Sequence, residues 1–338
     1  MKKKIALVLS LALVLTMTTA CGKKETKEES KGAAKTGLAV TTSIGSSTDA
    51  TADAEGLAQV DSTVVAVLVG EDGKILDCAI DAAQTKINFS AEGKITTDLA
   101  TVFQSKQELG TNYGMAKASS IGKEWSEQAN AFADYVVGKT VEEVKGIALT
   151  EGVPSDADLT SSVTVHVSDF ISGIEKAVNN AENLGANAGD KLGLGVSTNI
   201  AKSTDAGETD GVAQAYSNYS VVTTDKDGKI TSSIIDASQS NVNFSTTGAL
   251  TSDLAVAPQT KQELGADYGM AKASSIGKEW FEQADAFAKY VVGKTVEEVK
   301  GIAVTEEGVP SDADLASSVT IHIGDYTTVI DKAVANAK

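Results

Sequence analysis

Two seven-residue segments carry the side chains whose types and spacing point most clearly to chemistry. They are Asp158-Leu159-Thr160-Ser161-Ser162-Val163-Thr164 and Asp314-Leu315-Ala316-Ser317-Ser318-Val319-Thr320. Both read Asp-x-x-Ser-small-small-Thr. Such a segment either caps a helix through its serines, Ser161 and Ser317 being ordinary N-cap types, or presents a hydroxyl among small neighbours to another molecule. His166 and His322, the two histidines of the chain, each stand two residues past the threonine; a half-exposed structural role suits them better than contact with a ligand. Other reactive types are scarce. Two histidines, two cysteines and no Cys-x-x-Cys-His exclude haem and most transition-metal sites. There is no Gly-x-Ser-x-Gly, no Gly-x-Gly-x-x-Gly and no Walker motif. Redox work would therefore fall to an organic cofactor.

The elements that must position these segments come as a duplication. Tyr113–Leu149 recurs as Tyr268–Val304 at an offset of 155, with four differences. One insertion, Glu306-Glu307 against Glu151, then aligns Thr164 with Thr320. A period this long predicts two copies of a domain rather than a solenoid: 37–184 and 193–338, with a small-residue linker at 185–192. In the first copy Thr63–Val69 and Lys74–Asp81 read as strands around a Glu71-Asp72-Gly73 hairpin turn, and Lys86–Phe89 with Lys94–Leu99 as a second pair. Apolar residues from Met115 to Val136 fall at helical spacing and end at Gly138. Ser126/Phe281, Asn130/Asp285 and Asp134/Lys289 differ on one stripe, as an exposed helix face would. Thr140-x-x-Glu143 predicts a capping box. The last element is ambiguous: Val163–Val167 alternates like a strand, yet Val163, Val167, Phe170, Ile174 and Val178 form a helical stripe. A helix starting near Ser161 and Ser317 is the favoured reading. Each copy is then α+β, an antiparallel sheet packed with helices.

The N-terminus reads as an export signal at 1–20. Lys2, Lys3 and Lys4 precede an apolar run from Ile5 to Leu15, too short to span a bilayer with ease. Thr18-Thr19-Ala20-Cys21 resembles the lipobox of bacterial lipoproteins, which implies a lipidated Cys21 and a chain held at the outer face of the cell membrane. The polar residues that follow predict a tether over 21–36. Cys78 is then left without a disulfide partner, and its neighbours Leu76 and Ile80 point to an inert core thiol. The formal charge of −17 becomes three units more negative once the three lysines are removed. So acidic a chain is repelled by nucleic acid.

The repeated Asp-x-x-Ser-small-small-Thr resembles the acceptor motif of FMN-binding domains, in which a flavin transferase of the ApbE type joins FMN through its phosphate to the final threonine. That family has Gly and Ala where this chain has Ser162-Val163 and Ser318-Val319. The duplicated layout with an export signal looks like the PplA-type lipoproteins of flavin-based extracellular electron transfer, and the resemblance covers nearly all of the chain beyond the tether. It implies two covalent FMN groups, on Thr164 and Thr320, flanked by Asp158, Ser161 and Ser162 and by Asp314, Ser317 and Ser318. It also implies an electron carrier rather than an enzyme. Its partners would be the transferase, a membrane NADH dehydrogenase or quinol as donor, and an extracellular acceptor such as ferric iron. In a first helical turn, backbone N–H groups would face the phosphate. Tyr113 and Tyr268 are candidates to pack on the isoalloxazine. Gln84 and Gln239, within the repeated polar sets Asp81/Gln84/Asn88 and Asp236/Gln239/Asn243, are candidates for its polar edge. Trp125 and Trp280 fall on the apolar helix face and read as core. The rival reading is a tandem cell-surface binding module with no redox role; a flavin reductase acting on free substrate would need a proton relay that the sequence does not display.

Overall fold

The β-branched runs of each copy pair into a three-stranded antiparallel meander, seen in a computed structural model that describes residues 32–338. The expected export signal, Cys21 and the charged run after it lie outside the described residues. In the first copy β1 (Ala34–Ser43), β2 (Gly56–Gly70) and β3 (Ile75–Phe89) lie in that order. They are followed by β4 (Val102–Phe103), α1 (Lys106–Leu109), α2 (Trp125–Val136), α3 (Val141–Lys145), β5 (Leu149–Thr150), β6 (Val153–Pro154), α4 (Ala157–Thr160) and α5 (Ser168–Asn179). The second copy repeats the plan with β7 (Lys191–Asn199), β8 (Gly211–Thr224) and β9 (Ile230–Phe244). Its helices are α6 (Lys261–Leu264), α7 (Trp280–Val291), α8 (Val296–Lys300), α9 (Ala313–Ala316) and α10 (Gly324–Asn336). The class is α+β with antiparallel sheets.

Several local expectations hold. Gly73 takes φ 78° in the hairpin turn, where Gly70 N–H donates to Lys74 O at 2.9 Å. Glycine adopts that left-handed backbone without a Cβ clash. Thr140 and Glu143 form the expected capping box, and Thr295 with Glu298 repeats it. Trp125 and Trp280 are core residues, and the Cys78 thiol is buried, which pushes its pKa up.

Five expectations need correction. β1 begins at Ala34, within the stretch taken as tether, and pairs along its whole length with β2. β3 does not stop at Asp81: it is one 15-residue strand, because the polar residues at its middle find partners inside the fold. Asp81 Oδ1 accepts from Ala82 N–H at 2.7 Å and Gln107 N–H at 3.1 Å. Lys94–Leu99 is turn and coil with a single bridge, Phe89 to Ile95. Helix α2 starts at Trp125 rather than near Met115. Gly122 at φ 67° interrupts the earlier turns, and Glu124 with Glu127 caps the new start. Finally, α5 and α10 start at Ser168 and Gly324, not near Ser161 and Ser317. Those two serines close the short helices α4 and α9, whose N-caps are Asp156 and Asp312. The β-branched run Val163–Val167 resists helix, as its propensity dictates. Val163 and Val167 are buried from a loop instead.

Side-chain alternation along β2 explains the layering. Val65, Val67 and Val69 face the helices of their own copy, packing in one cluster with Trp125, Phe132 and Ile174. Val64, Ala66 and Leu68 face the other way and share a cluster with Leu194, Tyr219 and Val221 of the second copy. The two sheets thus meet face to face, with helices outside each. Phe89 and Phe244 stack across the same boundary, ring centroids 4.3 Å apart. Reciprocal bonds frame it: Ala50 N–H to Gly248 O and Ala206 N–H to Gly93 O, both 2.8 Å. Lys176 pairs with Glu263 and Lys332 with Glu108 in the same reciprocal sense. This is the signature of a two-fold contact between like surfaces, here within one chain. The described residues, 32–338, accordingly form one compact unit.

Candidate functional site

Thr164 and Thr320 lie in the loops between α4 and α5 and between α9 and α10. Each loop is pinned from three sides. Val163 and Val319 are fully buried, so the residue before each threonine is locked in the core. Val167 N–H donates to Gly152 O at 2.8 Å, and Ile323 N–H to Gly308 O at 3.1 Å. The third anchor is a side chain from the neighbouring helix. Gln128 Oε1 accepts from Thr164 N–H at 2.7 Å and from its hydroxyl at 3.1 Å. Gln283 does the same for Thr320 at 2.8 and 3.0 Å. The far end of each amide donates to the loop before the helix: Gln128 Nε2 to Ser119 Oγ and Lys123 O, Gln283 Nε2 to Ser274 Oγ and Lys278 O. Both threonines remain partly exposed, so a rigid loop holds a hydroxyl at the surface.

The other motif residues support the turn. Ser162 Oγ donates to Leu159 O and Ser318 Oγ to Leu315 O, both at 3.2 Å. Ser317 Oγ donates to Asp314 O at 2.7 Å. Asp158 and Asp314 sit exposed in the first turns of α4 and α9. His166 and His322 are exposed, each ring lying close over Gly152 or Gly308, a packing role. Because neither threonine stands in a first helical turn, the expected ring of helix N-terminal amides is not built around it. Thr164 N–H is spent on Gln128. A phosphoester at either hydroxyl would fit the exposure and the small neighbours.

Tyr113 belongs to a second group, linked to the first through helix α2. Lys106 Nζ lies 4.8 Å from the Tyr113 ring centroid and 5.3 Å from that of Trp125. Gln128 follows one turn beyond Trp125. Gln84 Nε2 donates to Asp61 Oδ1 at 3.0 Å. In the second copy two of the candidates meet: Tyr268 OH donates to Gln239 Oε1 at 2.9 Å. There Lys261 is buried among the rings of Tyr216, Tyr268 and Trp280, and donates to Tyr216 OH at 3.0 Å. Asn88 and Asn243 stay at the strand ends, while Asp81 and Asp236 are buried in mid-strand. Burial pushes Asp81 up to about 6 and Asp236 up to about 7, against the hydrogen bonds that favour their charged forms.

A groove lies elsewhere, between the copies. It encloses about 1030 Å³ and is lined by Lys176, Glu263, Asp236, Asp285 and Lys289 among others, with neither threonine in its wall. Gln128 and Gln283 were legible in principle. Each sits on the apolar stripe of its helix, between Trp125 and Phe132 or Trp280 and Phe287, where a polar residue needs a buried partner. No helix among the described residues is long and apolar enough to cross a membrane. No family model, no curated protein and no solved structure matches the chain.

Proposed function

We propose that the protein is a membrane-anchored extracellular flavoprotein built from two FMN-binding domains, which carries electrons on FMN joined to Thr164 and Thr320. The observation that carries this reading is the pair of equivalent turns. Each copy holds a threonine hydroxyl at the surface on a loop locked by buried valine and glutamine, within the same Asp-x-x-Ser-small-small-Thr segment. A surface hydroxyl among small residues is accessible to a transferase active site. The phosphodiester it would form keeps a flavin at the cell surface, where a dissociating one is lost. On this reading a lipid on Cys21 anchors the chain. A membrane NADH dehydrogenase or quinol supplies electrons, an acceptor such as ferric iron takes them, and the chain has no substrate of its own to turn over. The fold supplies position, potential and solvent access.

Co-expression with a flavin transferase tests it. The parental protein is expected to show a flavin absorption spectrum and two flavin adducts by intact mass. Thr164→Val and Thr320→Val should each leave one adduct, and the double variant none. Two adducts on the double variant would place the bonds elsewhere. The inter-copy groove favours a second reading, a surface binding module that holds a small polar ligand. That reading expects cells carrying the double variant to reduce ferric iron at the parental rate.

A further inference from the structure

Outside the motif, one side chain touches each threonine hydroxyl, and it does so in the same way twice. Gln128 and Gln283 are fully buried, and the orientation of each amide is settled by its partners. Thr164 N–H can only donate and Lys123 O can only accept, so Oε1 faces the threonine and Nε2 faces Lys123. The same pair of constraints, Thr320 N–H and Lys278 O, settles Gln283. Oε1 has no proton to give. The Thr164 and Thr320 hydroxyls must therefore be the donors in their 3.1 and 3.0 Å contacts. With the proton given to the amide, the Oγ lone pairs are left free to accept or attack.

We propose that Gln128 and Gln283 are positioning residues for flavin transfer: each fixes both the backbone and the hydroxyl rotor of its threonine so that Oγ presents lone pairs to the incoming phosphorus. This rests on the reading of Thr164 and Thr320 as flavin acceptors. In the transfer Oγ forms a bond to the phosphorus on the FMN side of FAD. The P–O bond to the AMP half breaks, and AMP departs with that electron pair. The hydroxyl proton passes to a base of the transferase, because a neutral amide is too weak a base to keep it. Afterwards Oγ no longer donates, and the bond from Thr164 N–H, the shorter of the two at 2.7 Å, continues to hold the turn. The price of losing the glutamine is thus paid in alignment, where small displacements have large kinetic effects.

The full chain with FAD and a purified flavin transferase tests this, followed by time-resolved peptide mass mapping of each threonine. Gln128→Met removes the acceptor and keeps the length; Gln128→Glu keeps the acceptor. Gln128→Met should slow loading of Thr164 by roughly tenfold or more, while Thr320 loads at the parental rate in the same molecule. Gln128→Glu should restore loading of Thr164. A second readout needs no flavin: the Thr164 amide should be protected from hydrogen exchange in the parental and Glu proteins and exposed in the Met protein. Parental loading of Thr164 in Gln128→Met, with its amide exchanging freely, overturns the proposal. If Gln128→Met unfolds the first copy, seen as exchange of the Ile174 amide, Gln128→Glu carries the test: parental loading supports the proposal, and lost loading in a folded copy overturns it. A parental chain that takes no flavin at either threonine defeats the acceptor reading itself, and the proposal with it.

Discussion

The two copies share α1–α4 and α6–α9 almost residue for residue, yet their sheets and last helices are built from different material. β2 of the first copy carries Val64-Val65-Ala66-Val67-Leu68-Val69, whereas the matching part of β8 reads Tyr219-Ser220-Val221-Val222-Thr223-Thr224. Opposite Val65 the first copy has Gly173 in α5, where any Cβ would collide with the valine; opposite Ser220 the second has Val329 in α10. Volume has moved from strand to helix. Where the second copy has Val329, β7 has Gly195 in place of Ala39, because a Cβ there would strike the Val329 carbonyl. The cost shows as polar atoms. Six buried side-chain atoms of the described residues lack a hydrogen-bond partner, those of Gln214, Asn218, Ser220, Ser233, Ser240 and Asn243, and all six lie in the second copy's strands. The lysine cage differs likewise: Lys261 has Tyr216 beside it where the first copy has Asp61. Pro258 stands where the first copy has Phe103, and lacking an N–H it cannot return the β4–β7 pairing. The lesson is that the threonine turns depend on their own helices and tolerate different sheets beneath them.

The largest test concerns the shared boundary. Phe89 and Phe244 are fully buried and stacked, so Phe89→Ala and Phe244→Ala should each cost about 3–5 kcal/mol. Chemical denaturation followed by two probes, one in each copy, should show one transition. Two separate transitions would mean that the copies are independent despite their common core.

Next in size is a pH effect that should be stronger in the second copy. Asp236 titrates in the folded state near 7 and Asp81 near 6, both above the ordinary 3.8. Between the ordinary value and the raised one, the folded chain holds a proton that the unfolded chain has lost. Stability from these groups is therefore complete below about pH 4 and declines as pH rises through 6 and then 7. The loss is on the order of a few kcal/mol per group. Asp236→Asn keeps an oxygen for Ala237 and Gln262 N–H and leaves Glu263 nearby unchanged. It should flatten the decline between pH 4.5 and 8 more than Asp81→Asn does, read from denaturation midpoints. Equal slopes in the two variants would erase this difference between the copies.

The smallest effect sharpens the account of the orphan hydroxyls. Ser220→Ala and Ser233→Ala each remove a buried, unpartnered oxygen, and each should raise stability by up to about 1 kcal/mol. The first copy already has Val65 and Cys78 at these places. A clear loss of Tm in either variant would show that the hydroxyl has a partner after all.

Much was legible from residues alone because it depends on neighbours in the chain. The duplication, the Gly73 turn, the Thr140–Glu143 box and the apolar stripe through Trp125 and Phe132 are local matters of backbone conformation and period. The candidate threonines were legible as a repeated segment. What surrounds them was not, since Thr164 meets Gln128 across 36 residues, and helical spacing does not say what a buried glutamine will hold. The same limit governs the last element. Val163 and Val167 continue the helical stripe of α5, yet the core buries them from a loop, and only packing distinguishes the two. Tertiary structure also decided that one face of β2 belongs to the other copy. A strand with apolar residues on both faces declares that both are covered, while the identity of each cover is settled by which surfaces fit, and here the fit is between the two halves of one chain.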